Sequence, residues 1–248
     1  KKAVVATPRV LKPDEEKLWR FYLSLNADAL LVRSAGLLRK LHELISEHVE
    51  EGKNYPRLRG DFSLNAANVL TTSTFLETFN LERLALTHDL NARQIRNLAS
   101  ALPETASSKI EIILHCHLPI FHTEHCVFCR FLSDGNSYKD CGHPCETNDA
   151  RLRDSNGKDH LVLADMGCRN TVFNAEAQSG AMFVQDWINI GNIRNYRIEL
   201  VDTNKNETIV LLETYDKLLN GEISSRDAYD ALRKVKDKNG NVQGCNIG

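Results

Sequence analysis

The chain has 248 residues, a formal net charge of −2, 42% hydrophobic residues and seven cysteines. That length buries one large core or two small ones, and the near-neutral charge argues against a general polyanion binder while leaving a local basic patch open. Its apolar runs are strand-sized, it has no secretory h-region and its cysteine count is odd, so no membrane span, signal peptide or disulfide scaffold is expected; reduced thiols in a cytoplasmic or similarly reducing compartment are.

The opening Lys1-Lys-Ala-Val-Val5 lacks an initiator Met and already lies in an apolar run, which reads as an excised piece of a longer protein. Residues 3–7 form a short β-like run. Pro13-Asp-Glu-Glu16 then starts a helix, because a ring without an N–H and acidic side chains both suit the unpaired first turn. Leu18, Phe21, Tyr22 and Leu25 follow at i, i+3, i+4, i+7 and predict its buried face. Asp28–Val32 is a second strand and Leu37–Val49 a helix burying Leu38, Leu41 and Ile45. Leu58–Leu64 reads as a third strand, Thr74–Phe79 as a short helix and Arg83–Thr87 as a fourth strand. Asn91 caps the next helix with Gln94 placed to reach back, and Ile95 and Leu98 turn inward.

The fifth strand is Ile110–Leu114. From Phe121 to Gly157 the alternation stops and a polar, cysteine-rich insertion (121–168) stands where a helix is due. His160–Asp165, Trp187–Ile190 and Tyr196–Val201 resume β character. Helices at Glu207–Leu219 and Ser225–Val235 follow, and 236–248 reads as a flexible tail. Strands alternating with helices imply a parallel sheet, and seven or so strands with short loops favour a partial (β/α) TIM-barrel-like domain over 1–235. No Gly-rich phosphate loop follows the first strand, which weakens a nucleotide-binding alternative. In such barrels the chemistry sits past the strand ends, where His115, Asp165 and Cys168 fall.

Five of the seven thiols lie in this stretch: Cys126, Cys129, Cys141, Cys145 and Cys168. The spacings Cys-x2-Cys and Cys-x3-Cys, a dozen residues apart, let paired thiolates reach one centre, so a metal is expected. Thiolates alone suit zinc and an iron–sulfur cluster equally, and one thiol exceeds what four-coordination needs. His122 and His125, beside the first thiol, are candidate ligands or donors to ligands. His42-Glu-Leu-Ile-Ser-Glu-His48 has Ser where a zincin helix needs its second His, and no Gly-x-Ser-x-Gly elbow exists.

The segments Gly60-Asp-Phe-Ser-Leu-Asn65, Leu84-Ala-Leu-Thr-His-Asp-Leu-Asn91, Leu114-His-Cys-His-Leu-Pro-Ile-Phe121, Glu124-His-Cys126, Cys141-Gly-His-Pro-Cys145, Asp165-Met-Gly-Cys-Arg-Asn170 and Tyr196-Arg-Ile-Glu199 together give a resemblance to a known family. From about Ala6 to Val201 the chain resembles the collagenase-like peptidases of unclassified mechanism, a family that also holds proteins of ubiquinone biosynthesis and RNA base hydroxylation. Asp89 stands where the family more usually has Glu, and Cys116 where it commonly has Gly. The resemblance implies a barrel-type fold with earlier strands before Lys1 and a 4Fe–4S cluster on Cys126, Cys141, Cys145 and Cys168. Cys129 is then the extra thiol, able to replace Cys126. It further implies oxygen-independent hydroxylation of an RNA base or a quinone precursor, with His115, Asp89, Arg169 and Glu199 as acid–base and substrate contacts. Two alternatives remain open: a peptidase using metal or Cys chemistry, and a structural zinc module in an assembly or RNA-binding protein.

Overall fold

The structure is a computed structural model in which residues 2–12, 15, 17–47, 55–165, 167–189, 192–235 and 245–247 are described. Where the sequence reads as one body over 1–235, the chain divides into two compact units, Lys1–Ile113 with Phe183–Arg197, and Leu114–Met182 with Ile198–Gly248. The architecture is mixed α/β.

The first unit follows the predicted alternation. Its strands are β1 (Val4–Ala6), β2 (Ala29–Val32), β3 (Arg57–Gly60), β4 (Arg83–Ala85) and the start of β5 (Ile110–Cys116), all paired parallel in sequence order. No strand order reversal occurs among them, which is the order of a (β/α) barrel rather than of a doubly wound sheet. β2 is Ala-Leu-Leu-Val with every residue buried, as expected of a strand covered on both faces. Burial of each such Leu side chain contributes about 1.5–3 kcal/mol.

The helices between them are α1 (Lys17–Ser24), α2 (Ala35–Glu47), α3 (Val69–Thr78), α4 (Ala92–Ala101) and the short α5 (Glu104–Ser107). The expected start of the first helix at Pro13 and the end of the second at Val49 lie outside the described residues. α1 buries Trp19 and Tyr22, whereas Phe21 and Leu25 of the predicted stripe are exposed. The face is turned because Trp19, the larger apolar surface, goes inward and keeps the i, i+3 spacing with Tyr22. The third strand is shorter than predicted: it ends at Gly60, and Phe62–Leu64 form a 3-10 turn closed by Asn65 in the left-handed region. α3 begins five residues earlier than Thr74 because the Asn68 side chain accepts from Thr71 N–H and caps it. The Asn91–Gln94 capping box at the start of α4 is formed as the sequence predicts.

In the second unit β6 (Pro119–Thr123), β7 (Ala150–Arg153), β8 (Asp159–Ala164) and β9 (Asn170–Phe173) form an antiparallel sheet in the order β6-β9-β8-β7. The stretch predicted as a polar insertion thus carries strands and the helix α6 (Val127–Leu132). His160–Asp165 enters this antiparallel sheet instead of resuming a parallel one. Phe128, Val162 and Val172 make a small core here, with Cys126 and Cys145 packed at its edge. β10 (Ala177–Ser179) pairs antiparallel with the end of β5.

The chain returns to the first unit at α7 (Val184–Asn189), which replaces the strand expected at Trp187–Ile190. A four-residue apolar run fits either period, and Val184 with Trp187 at i, i+3 decides for the helix. Trp187 Nε1 donates to the Ala92 carbonyl at 3.2 Å. After β11 (Asn195–Ile198) the second unit closes with α8 (Lys205–Leu219) and α9 (Ser225–Leu232), as predicted within a few residues. Residues 236–244 of the expected tail lie outside the described residues, while β12 (Cys245–Ile247) pairs parallel with β10. Among the described residues no helix is long and apolar enough to cross a membrane.

Candidate metal centre

The second unit gathers the thiols. Cys126 is the N-cap of α6, and its sulfur accepts from the Cys129 N–H at 3.5 Å. One turn on, the Cys129 thiol donates to the Gly135 carbonyl at 3.4 Å. The Gly135–Cys141 loop is wound around one carboxylate: Asp140 accepts from Asn136 N–H at 3.1 Å, Ser137 N–H at 2.7 Å and Ser137 Oγ at 3.0 Å. A Cβ on Gly135 would stand 2.5 Å from the Asp140 carbonyl, so the loop closes only around glycine.

Cys168 arrives from the β8–β9 hairpin. The Asp165 side chain accepts from Gly167 N–H at 2.8 Å and Arg169 N–H at 3.0 Å, and Cys168 takes a left-handed conformation at φ 57°. Asn170, almost wholly buried, joins the hairpin to the helix: its side-chain Oδ1 accepts from Val127 N–H at 2.7 Å while its Nδ2 donates to Cys126 Sγ at 3.8 Å.

Cys126, Cys129, Cys141 and Cys168 all line one cavity of about 750 Å³, together with Glu124 and His125. Cys145 does not line it; its side chain packs against the Phe128 core. Burial raises the Cys129 thiol, and Cys141 and Cys126 raise it further. Cys168 is likewise raised by burial, then by Cys126, Cys141 and Cys145. Five sulfurs are therefore near enough for their charges to repel, and a cation among them would reverse that sign. Among the described residues no three His, Cys, Asp or Glu side chains are drawn together tightly enough to hold a metal ion. The donor chemistry fits a thiolate-bound group, with sulfurs spread around a cavity rather than closed on one point.

His115 lies elsewhere in this unit. It is buried at the end of β5, where Nδ1 lies 3.1 Å from the Tyr215 hydroxyl, which in turn lies 2.6 Å from Ser179 Oγ. Burial foremost, then the neighbouring His117, pushes its pKa down to about 4, so the ring is neutral at pH 7. The Glu199 N–H donates to the His115 carbonyl at 2.8 Å. Arg169, 2% exposed at its side chain, donates from Nε to Glu124 at 2.9 Å, which ties the cysteine hairpin to the residue two before Cys126. Asp89 belongs to the first unit, is exposed and accepts from Thr87 Oγ1 at 3.0 Å. Of the two histidines beside the first thiol, His125 lines the cavity and His122 Nδ1 faces Thr171 Oγ1 at 2.9 Å.

The sequence places Asp165 at the reactive rim but does not single out Asn170 or Asp140. For Asp140 and Asp165 the signal is that Asp bonds nearby backbone N–H groups in tight turns beside a loop glycine or cysteine, whereas Asn170 bonds Val127, 43 residues away, and has no local signal.

The sequence model of peptidase family U32 matches residues 4–243. No curated protein matches the chain. Among solved structures, a dipeptide epimerase from Methylococcus capsulatus in complex with a Mg ion is similar at 20% identity over 45% of this chain and 32% of that one, with a TM-score of 0.33. The same epimerase with Mg and the dipeptide L-Arg-D-Lys gives 21% identity, 45% and 31% coverage and the same TM-score, 0.33. The cell-surface chitinase ChiW of Paenibacillus sp. str. FPU-7 is similar at 11% identity over 89% of this chain and 32% of that one, with a TM-score of 0.40. The chain spans about a third of the length of each of these structures.

Proposed function

The chain belongs to peptidase family U32, and from that premise we propose that it is part of an iron–sulfur enzyme whose cluster is held by Cys126, Cys129, Cys141 and Cys168. The observation that carries the reading is the convergence of those four thiols, from one helix, one loop and one hairpin, on a single cavity. A lone zinc needs sulfurs about 3.8 Å apart, set by Zn–S bonds of about 2.3 Å in a tetrahedron. Four thiolates suit a 4Fe–4S cluster as well, and it is the resemblance to iron–sulfur members of the family that favours the cluster here. In this reading Cys145 is the spare thiol, because it alone of the five does not line the cavity.

When bound, such a cluster supplies one-electron chemistry. The chain's own residues set the surroundings. Arg169 fixes Glu124 at the cavity wall, and Asn170 donates to the Cys126 sulfur and orients it. Phe131 and Tyr138 line the same cavity, 77% and 59% exposed, and their flat faces suit a planar substrate. Oxygen-independent hydroxylation of an RNA base or a quinone precursor is the activity this supports best. β1–β5 are then consecutive strands of a (β/α) barrel, and the antiparallel sheet is an insert after the fifth.

The test is anaerobic reconstitution with iron and sulfide, followed by visible absorption at roughly 400 nm, where iron–thiolate charge transfer falls. Wild type and Cys145→Ser are expected to develop the band. Cys126→Ser, Cys129→Ser, Cys141→Ser and Cys168→Ser are each expected to lose most of it. A full band in Cys129→Ser with loss in Cys145→Ser would overturn the ligand set.

A further inference from the structure

The first unit carries a second polar cluster that the thiol chemistry does not use. Its parallel strands end side by side, and in open α/β sheets ligands bind beyond the carboxyl ends of the strands. Arg33 is the first residue after β2 and Asp61 the first after β3; His88 follows β4 by three. Asp61 is wholly buried and accepts from Arg33 Nε at 2.9 Å and from Arg197 Nη2 at 2.5 Å. Arg197 also engages Glu111 at 3.1 Å, and Arg83 stands 3.7 Å from the same carboxylate. Three guanidinium groups thus face two carboxylates, which leaves one positive charge over.

Two groups in this cluster have capacity left. Arg33 commits only Nε of its side chain to Asp61; among the described residues its terminal amino groups have no hydrogen-bond partner, and the side chain is 29% exposed. The His88 ring lies against Phe62 with centroids 4.1 Å apart, and its Nε2 is buried with no hydrogen-bond partner among the described residues. Burial, with Arg197 and Arg9 adding to it against Asp61 and Asp89, brings its pKa down to about 4. At pH 7 it is therefore a neutral imidazole able to donate one N–H. The unpaired His88 nitrogen is a hydrogen-bonding position open to a bound group. A planar guanidinium with unused donors, beside a neutral donor and an excess positive charge, matches an oxyanion.

We propose that Arg33 and His88, held in place by the Asp61–Arg197 pair, form a binding site for one oxyanion group of a substrate, a phosphate or a carboxylate. Asp61 is a positioning residue: it fixes the two guanidinium planes and does not meet the ligand. The site stands in the first unit and is independent of the cluster reading, so either can fail without the other.

The test is isothermal titration calorimetry on the metal-free 248-residue chain with inorganic phosphate and, separately, benzoate. Saturable binding of at least one is expected: phosphate alone identifies a phosphate ester as the natural group, benzoate alone a carboxylate. Arg33→Gln removes the unused donors, while His88→Phe keeps a ring against Phe62 and removes the nitrogens. Each is expected to weaken binding about tenfold or more, as loss of a hydrogen bond to a charged group does. Circular dichroism and melting of each variant establish that it is folded, and should Arg33→Gln not fold, His88→Phe decides. No saturation by either anion, or unchanged affinity in the folded variants, would overturn the proposal.

Discussion

The two units are held together in opposite ways. In the first, parallel strands bury Leu and Val on both faces, and the polar residues at their ends are already paired, Asp61 between Arg33 and Arg197 and Glu111 against Arg197. In the second, a small core of Phe128, Val162 and Val172 supports loops whose order comes from backbone bonds to Asp140, Asp165 and Asn170. Its most concentrated chemistry, the thiols, is a set of like groups that repel when charged. One unit neutralises its buried carboxylates within the chain and keeps a guanidinium in surplus; the other gathers like groups that only something bound would neutralise.

Three experiments sharpen or break that contrast, and the largest effect is expected at Asp61. Burial raises its carboxyl, but Arg197 and Arg33 outweigh that and hold it below its ordinary value of 3.8. Asp61→Asn removes the charge and leaves both guanidinium groups facing an amide, so a loss of about 3–5 kcal/mol in urea unfolding is expected. A loss under about 1 kcal/mol would mean that the network does not hold the first unit together.

Next comes acid. His115 has a folded pKa of about 4 against an ordinary 6.5. The unfolded chain binds its proton first, so this contribution is fully present above pH 6.5 and is lost as the pH falls from 6.5 towards 4, amounting to about 3 kcal/mol. His115→Gln is expected to flatten the stability profile over that window; an unchanged slope would contradict the burial argument for this residue.

The smallest effect is expected from the thiols themselves. In metal-free protein, exchange of Cys126, Cys129, Cys141 or Cys168 for Ser should shift the unfolding free energy by about 0.5 kcal/mol or less, since these thiols are partly exposed and Ser can keep their few hydrogen bonds. A cost of about 2 kcal/mol or more would make them structural in their own right.

Legibility in the sequence follows the same division. The alternation up to Ile110, the Asn91–Gln94 capping box and the paired cysteine spacings are local patterns, and local patterns survive in the fold. What escaped is tertiary. Arg33 and Asp61 are 28 residues apart, and nothing in either neighbourhood says that one carboxylate will lie between two guanidinium groups. The antiparallel sheet was hidden because β7, Ala-Arg-Leu-Arg, shows three exposed residues and no buried one, hence no apolar face to read. The α1 face turns on Trp19, which lies outside the Leu18–Leu25 stripe, and α7 reads as a strand because Trp-Ile-Asn-Ile is too short for its period to show. For the site, the clustering of the thiols is legible in the sequence, but that Cys129 lines the cavity and Cys145 does not is a tertiary fact.

The most direct test of the central claim, that these thiols hold a multi-iron group, is quantitation of iron, acid-labile sulfide and zinc in protein purified without air. About four iron and four sulfide per chain, with little zinc, is the expected result. Colourless protein carrying about one zinc per chain and no iron would contradict it.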